Sequence, residues 1–549
     1  MVVILIAAQL LCLEVASGRP TSTVLQPATL PTPVRAIKFD PWQSAAQRGT
    51  QLAPLAPVLL REWVARGFNT VFLIVQPRGR TGDPRSAKAC CCNSSTFGGD
   101  LLRALLDAAA QHNVTVVPGV WGLRNFPVGE AHPDWRAVNE NGTAPFDNED
   151  EGGDLCAASP YAETYLLPLV RQLRRSYGVR SFFLMEFWQP WSLDFPERTS
   201  YSPFMRKSFV GGGPQDREPL RMAVRANVTL HDAWHMHQME QQWRILVSVD
   251  EALRDGVVGG DACVIWHNVD GIDAVDDTTH TARTAWNFLR DQPSTGAFGA
   301  PVIDFVGNML LYLLRTIFMA HVHDIYNTYL LCIVRNRYAD LMCFDRLCPS
   351  ATPNDLPLTA PVLLEPAARR QRYLTEQLSM MPVGARVQVL TETIGRSIVP
   401  ARPTASDDVV EIFLADFVSA GQHSAGFIYE QDAWAIEPGE FDVWGGLAAW
   451  MQDMYPLLFA AAAAGDNVIE GLHVDNATLT AHRVLHAPPS VLGGTLQAVL
   501  VLANFASNRS SVWTVPTSNG TVLLDLRKGV AFHGPYVRVL PQTVAVVGF

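Results

Sequence analysis

The chain is short of charge. Charged residues make up 17% of its 549 positions, the net charge is −11, and no basic stripe interrupts that balance. Polyanionic partners such as nucleic acid or an anionic membrane surface are therefore not expected. It also lacks C-x-x-C pairs and any H-E-x-x-H. Cys90-Cys91-Cys92 does not replace them, because adjacent side chains splay apart, and a loop with disulfides is the better reading. No glycine-rich loop follows the first strand-like run, which removes the usual dinucleotide fingerprint. No cofactor and no metal are expected. The longest internal apolar stretch, Phe305 to Val334, is broken by Arg315 and Asp324. It reads as one or two buried helices, within an insertion near 295–340, and not as a membrane span.

Apolar residues, by contrast, are 48% of the chain, enough to bury a sizeable core. The length accommodates two domains, one of them large. The N-terminus, MVVILIAAQLLCLEVASG, has an apolar run followed by small residues, the grammar of a signal peptide over residues 1–18, although no Lys or Arg precedes the run. Export is also suggested by seven N-x-S/T triplets, beginning at Asn93, Asn113, Asn141, Asn227, Asn476, Asn508 and Asn519. The expected location is outside the cell or in the secretory lumen. Beyond the signal lie eight cysteines, an even number that permits disulfides without fixing their pairing.

After a Pro/Thr-rich leader (19–33), short apolar runs alternate with segments of helical spacing. The expected strands are Val34–Phe39, Thr70–Val75, Val114–Val117, Ser181–Met185, Ala262–Trp266, Leu341–Phe344, Val387–Leu390 and Ala425–Tyr429. Helical patterns such as LAPLAPVLLREWVARG and GGDLLRALLDAAAQHN lie between them. Strands alternating with helices indicate parallel βα units, so the expected class is α/β: a (β/α)8 TIM-type barrel over 34–464. A doubly wound open sheet is the alternative. From about residue 465 to 549 the pattern becomes short strands separated by turn residues, which predicts a small C-terminal antiparallel β-sandwich domain.

Chemistry in such a barrel belongs at the carboxyl ends of the strands. In strand order these ends carry Asp40 and Trp42; Gln76 and Arg78; Trp121; Glu186, Trp188 and Trp191; Trp266, His267, Asn268 and Asp270; Asp345 and Arg346; Glu392; and Glu430 with Trp434. Six of the 14 tryptophans fall on this rim. Flat rings cover the apolar faces of sugars, and Asp, Asn, Arg and His bond their hydroxyls. Carbohydrate is thus the expected partner. Glycoside hydrolysis needs two carboxyl groups, about 5–5.5 Å apart in the retaining version. Glu186, set in an apolar and aromatic collar that favours a protonated acid, is the candidate acid/base and Glu392 the candidate nucleophile. Glu430 and Asp345 are the substitutes. The plainer reading is that rim carboxylates pair with arginines or cap helices, as Glu392 can with Arg396.

The segments GFNTVFLIVQPRGR (67–80), HPDWRAVNENGT (132–143), LCAASPYAETYLLPLV (155–170) and YGVRSFFLMEFW (177–188) follow in order. Together they resemble a group of glycoside-hydrolase-like (β/α)8 proteins with fucosidase-like and galactosidase-like branches. The resemblance covers the first half of the barrel, and the second half matches only in rhythm. It implies a secreted carbohydrate-active enzyme, with Glu186 at the place of the family's strand-four acid and His132, Asp134 and Trp135 in the loop over the pocket. Many relatives have Asp at strand four, often as nucleophile. The resemblance therefore leaves open a Glu186 nucleophile with the acid/base at Glu392 or Glu430. Two further readings compete: a non-catalytic carbohydrate-binding protein on a degenerate barrel, and a membrane-anchored structural protein. The sugar, the linkage and the oligomeric state are open.

Overall fold

The computed structural model describes residues 31, 33–42, 51–76, 97–123, 125–139, 142–143, 155–185, 200–209, 216–254, 263–268, 331–336, 387–394, 410, 413–414, 417–418, 424–431 and 438–458. In the C-terminal part it describes 468–469, 473–475, 480–486, 498–504, 509–515, 522–525, 530–541 and 543–549. Eight parallel strands pair in chain order: β1 (Val34–Phe39), β2 (Thr70–Ile74), β3 (Thr115–Trp121), β4 (Ser181–Met185), β5 (Cys263–Asn268), β6 (Leu331–Asn336), β7 (Val387–Ile394) and β8 (Ser424–Gln431). β8 pairs back onto β1 and closes the sheet.

The registers show how it closes. Ile74, Gly119, Phe183, Ile265, Cys332 and Gln388 are successive partners. The last residue of β2 is thus level, in hydrogen bonding, with the second residue of β7. That stagger is what a barrel of tilted strands requires. Two glycines make room for it. Gly119 lies so close to the backbone oxygen of Phe183 that a Cβ there would collide. Gly426 has φ +138° and packs directly on Val34, beside a register shift between Val389 and Leu390 that leaves one extra residue in β8. This bulge bends the strand at the seam.

Helices form where the sequence spacing is apolar at every third or fourth residue. In α1 (Ala56–Ala65) the buried positions are Ala56, Leu59, Leu60 and Trp63. In α2 (Leu101–His112), Leu101, Leu102, Leu105, Leu106, Ala108 and Ala109 are buried. The Asp100 carboxylate caps the start of α2 through Arg103 N, and Asn113 ends it with φ 54°. The short α3 (Phe126–Ala131) is capped by Asn125. A π-helical turn, Ala162–Leu166, leads into α4 (Leu167–Tyr177), which ends at the left-handed Gly178. After β4 come α5 (Pro203–Ser208), α6 (Arg217–Ala226) and the 27-residue α7 (Val228–Arg254). Helix α8 (Pro438–Leu458) follows β8.

The sixth strand corrects the sequence reading. It is Leu331–Asn336, so the end of the apolar stretch read as helix is a strand, while the expected Leu341–Phe344 lies outside the described residues. A continuous apolar run has no alternation to distinguish a strand from a buried helix. Several strands also run past their apolar cores: β3 includes Trp121, β5 includes His267 and Asn268, β7 includes Glu392, and β8 includes Glu430.

Beyond the barrel the strands are antiparallel. A seven-stranded sheet has the order β10 (His473–Asp475), β11 (Thr480–His486), β12 (Ala498–Asn504), β17 (Thr543–Gly548), β14 (Val522–Asp525), β15 (Val530–His533), with β9 (Val468–Ile469) also on β11. β13 (Ser511–Thr514) and β16 (Tyr536–Val539) form a two-stranded sheet. β12 is buried at every residue. Val499, Val501 and Ala503 join the core of the barrel, whereas Ala498, Leu500 and Leu502 pack with Val515, Val537 and Val539. The strand's two-residue period thus splits one apolar run between two cores. Arg483 Nε donates to Val418 O across the first of these, and burial lowers its pKa to about 10.

Cys156 is a free thiol, so the eight cysteines that follow residue 18 do not all pair. It is buried in a satellite core with Tyr201, Met205, Phe209, Leu220, Val224 and Trp234, and Ser202 Oγ donates to its sulfur at 2.8 Å. No helix among the described residues is long and apolar enough to cross a membrane.

Candidate active site

The faces of β1 are fixed by their contacts. The Phe39 ring meets Trp63 of α1 at 5.4 Å, and Arg35 Nε donates to Gly67 O at 2.6 Å, so odd-numbered residues face the helices. Even-numbered residues face the barrel interior, where the Phe72 and Phe183 rings meet at 4.9 Å. Lys38 is on this inner face and is 0% exposed. Its Nζ lies 5.3 Å from the centroid of the Trp121 ring, a cation over an aromatic face. Asp40, 2% exposed, follows on the same face at the carboxyl end. Its Oδ2 accepts the Trp121 indole N–H at 3.2 Å and its Oδ1 accepts the Trp42 backbone N–H at 3.0 Å. Lys38, Asp40 and Trp121 are therefore one buried assembly at the mouth of the barrel. Trp42 packs edge-on against Phe97 at 4.8 Å, and its indole N–H has no acceptor among the described residues.

Next to this group, Asn125 Nδ2 reaches Gln76 Oε1 at 3.4 Å, at the end of β2. Tyr161 donates to Gly122 O at 3.2 Å, and burial pushes its hydroxyl pKa well up. These bonds tie the turn after β3 to its neighbours.

His132 and Trp135 form a second group. The imidazole stacks on the indole at 3.8 Å between centroids and 8° between planes, and His132 Nε2 lies 3.4 Å from Tyr165 Oη. Trp135 is buried, so one of its faces is spent on His132 and a sugar cannot use that face. Tyr165 is on the π-helical turn, a distortion that recurs at functional sites. Burial raises its pKa. Asp134 is exposed.

The wall from β5 to β8, which adjoins β1, is placed by register. Glu392 is the partner of Asn336 on β6 and of Ile428 on β8. Glu430 is the partner of Ile394 on β7 and of Lys38 on β1. Trp266, His267 and Asn268 close β5. Glu186, Arg78, Trp188, Asp345 and Trp434 lie outside the described residues, as do Asn93, Asn141, Asn476, Asn508 and Asn519. With the sixth strand ending at Asn336, Asp345 does not follow it directly as expected. Asn113 and Asn227 are exposed, the latter accepting from Leu230 N at the start of α7.

Sequence reasoning passed over Lys38, Asn125 and Tyr161. Lys38 left a faint signal: of the two cations in VRAIKF, it is the one on the inward parity, while Arg35 faces the helices. Among the described residues no cluster of His, Cys, Asp and Glu could hold a metal ion.

No family model and no curated protein matches the chain. Solved structures align with it at low identity. A noncanonic maltogenic α-amylase, AmyB, of Thermotoga neapolitana is 10% identical with a TM-score of 0.45, over 94% of this chain and 98% of that one. The GH36 α-galactosidase AgaA of Geobacillus stearothermophilus is 11% identical with a TM-score of 0.44, over 94% of this chain and 55% of that one. An α-L-fucosidase isoenzyme 2 of Paenibacillus thiaminolyticus is 12% identical with a TM-score of 0.43, over 80% of this chain and 51% of that one. All three are named for glycosidase activities, and likeness at this level says nothing about which bond this chain would act on.

Proposed function

We propose that the protein is an exported glycoside hydrolase of the retaining type, built on a TIM-type (β/α)8 barrel with a C-terminal β-sandwich. The observation that carries this reading is the buried Lys38–Asp40–Trp121 assembly at the carboxyl-terminal mouth of a closed parallel barrel, with two strand-borne glutamates on the adjoining wall. Charged groups are costly to bury and are held in such places when a site needs them. Their mixture of indole, carboxylate and ammonium suits a neutral, hydroxyl-rich substrate.

In the mechanism proposed, Glu186 donates a proton to the leaving oxygen, and a carboxylate of the β7–β8 wall, Glu392 or Glu430, attacks the anomeric carbon. Asp345 is the remaining substitute. Asp40, Trp42, Trp121, Trp266, His267 and Asn268 line the substrate site, joined by Arg78, Trp188 and Trp434. The exposure of Asn113 and Asn227 supports glycosylation there and, with the apolar N-terminus, export.

The test is hydrolysis of a panel of nitrophenyl glycosides by the secreted protein and its Glu186→Gln, Glu392→Gln and Glu430→Gln forms. Turnover lost in Glu186→Gln and in one of the other two supports the reading. Sugar binding with no turnover would replace it with a carbohydrate-binding protein.

A further inference from the structure

Three of the six large apolar side chains exposed among the described residues crowd one small feature. Val512 and Tyr536 are 63% exposed and Leu540 is 57% exposed, on or directly after the two-stranded β13–β16 sheet. The two-residue strand period gives this sheet two faces. Val537 and Val539 are buried with Leu500 and Leu502, on the side of β12 away from the barrel core. Tyr536 and Arg538 are exposed, as are Val512 and Thr514 of β13. In register Val512 is opposite Arg538, and Thr514 is opposite Tyr536. The outward face is therefore a square of four side chains, about 7 Å along each strand and about 5 Å across.

This square is fixed from behind. Asn504 Nδ2 holds the carbonyls of Arg509, Val539 and Leu540 at one end, and Val515 N donates to Pro535 O at the other. Arg538 Nη2 reaches Ser510 Oγ at 3.4 Å, which steadies the guanidinium. A surface already ordered loses little entropy on binding. Its size selects the partner. The three large apolar side chains expose on the order of 100 Å² each, against the roughly 800 Å² that each side of a stable protein–protein interface gives up. That is too little for a second protein chain and enough for a sugar ring. An aromatic ring covers the C–H face of a sugar, and the Arg538 guanidinium and the Thr514 hydroxyl stand beside Tyr536 to bond its hydroxyls.

We infer that this face is a surface site for a carbohydrate chain, distinct from the barrel mouth, with Tyr536 as the stacking platform and Arg538 and Thr514 as hydroxyl partners. The chemistry of these side chains carries the inference, and it holds whether or not the barrel hydrolyses a glycosidic bond. In a working glycosidase the site would keep a polymeric substrate close, and a small glycoside would gain nothing from it.

The experiment is native electrophoresis of the full chain through gels that contain soluble starch, hydroxyethyl cellulose, galactomannan, xylan or polygalacturonate. Wild type is compared with Tyr536→Ala, Tyr536→Phe, Arg538→Ala and, as a control at an exposed apolar residue elsewhere, Met222→Ala. At least one polysaccharide should retard the wild type. Tyr536→Ala should weaken that binding about tenfold, and Tyr536→Phe should keep most of it. Arg538→Ala should weaken it severalfold, and Met222→Ala should not change it. Retardation by none of the five polysaccharides overturns the inference, as does retardation that Tyr536→Ala leaves unchanged. Sedimentation that shifts with concentration in the wild type but not in Tyr536→Ala would give the face to a second copy of the chain and overturn it too. Turnover of nitrophenyl glycosides should be equal in wild type and Tyr536→Ala. Absence of all turnover defeats the glycosidase reading alone, because the gels still decide whether this face binds sugar.

Discussion

β1 and β12 are alike in burial and differ in what they do with polarity. Both run through the interior with core on each side, and both lead to a polar residue at the carboxyl end. On β12 that residue is Asn504, whose Nδ2 lies 2.9, 3.2 and 3.1 Å from the carbonyl oxygens of Arg509, Val539 and Leu540. Its hydrogen bonds go to fixed backbone, and they fasten the β13–β16 layer to the large sheet. On β1 the polar residues are Lys38 and Asp40, and among their contacts is a side chain of another strand, Trp121. Burial alone therefore does not separate a structural polar group from a candidate site. The location of its partners does: the carbonyls of one loop and strand for Asn504, and for Asp40 a side chain of another strand, Trp121, beside the backbone of Trp42.

That contrast can be broken by substitution. Asp40→Ala should lower kcat/KM by about a hundredfold or more, close to 3 kcal/mol of transition-state stabilisation, since it releases Trp121 and strips a charge from the mouth. The check is steady-state kinetics on the substrate the panel selects. Asn504→Ala should do the reverse. It leaves buried carbonyls without donors and should cost about 2 kcal/mol in denaturant unfolding, with kcat/KM per folded molecule unchanged. An activity loss in Asn504→Ala as large as in Asp40→Ala would erase the distinction.

A third buried polar residue places acid sensitivity away from both regions. His237 on α7 lies 2.8 Å from Ser208 Oγ, and its pKa is lowered to about 4 by burial and then by the charge of Arg244. The folded state therefore holds it neutral, while the unfolded chain protonates it below about 6.5. Its contribution is fully present above that pH and is lost as the pH falls towards 4. Replacing it by Gln should flatten the fall in melting temperature across that window by an amount corresponding to 1–2 kcal/mol, to order of magnitude. A scan whose slope is unchanged in the variant would contradict the assignment. The smallest effect is expected for Trp121→Phe, which keeps an aromatic ring under Lys38 and loses the N–H to Asp40 with the smaller part of the indole. Stability should fall by about 1 kcal/mol.

How much of this was legible depended on what each segment spends its side chains on. β1 and β4 stand where the apolar runs placed them, because a short run bounded by polar residues has few other fates. β6 was misplaced because LLCIVRN continues a longer apolar stretch with no punctuation between them. α7 escaped notice because its buried stripe includes His237, Gln238, Gln241 and Gln242 between Trp234 and Ile245, so inward-facing positions do not read as apolar. At the site, Asp40 and Trp121 were visible as strand-end residues. Lys38 was harder to read, since its significance lies in its burial against Trp121, which depends on how the sheet brings β1 and β3 together.

The most direct measurement is covalent trapping with an activated 2-deoxy-2-fluoro glycoside of the sugar the enzyme turns over, followed by peptide mass spectrometry. The account predicts a single label, on Glu392 or Glu430. A label on a carboxylate away from the barrel mouth would contradict the placement of the site.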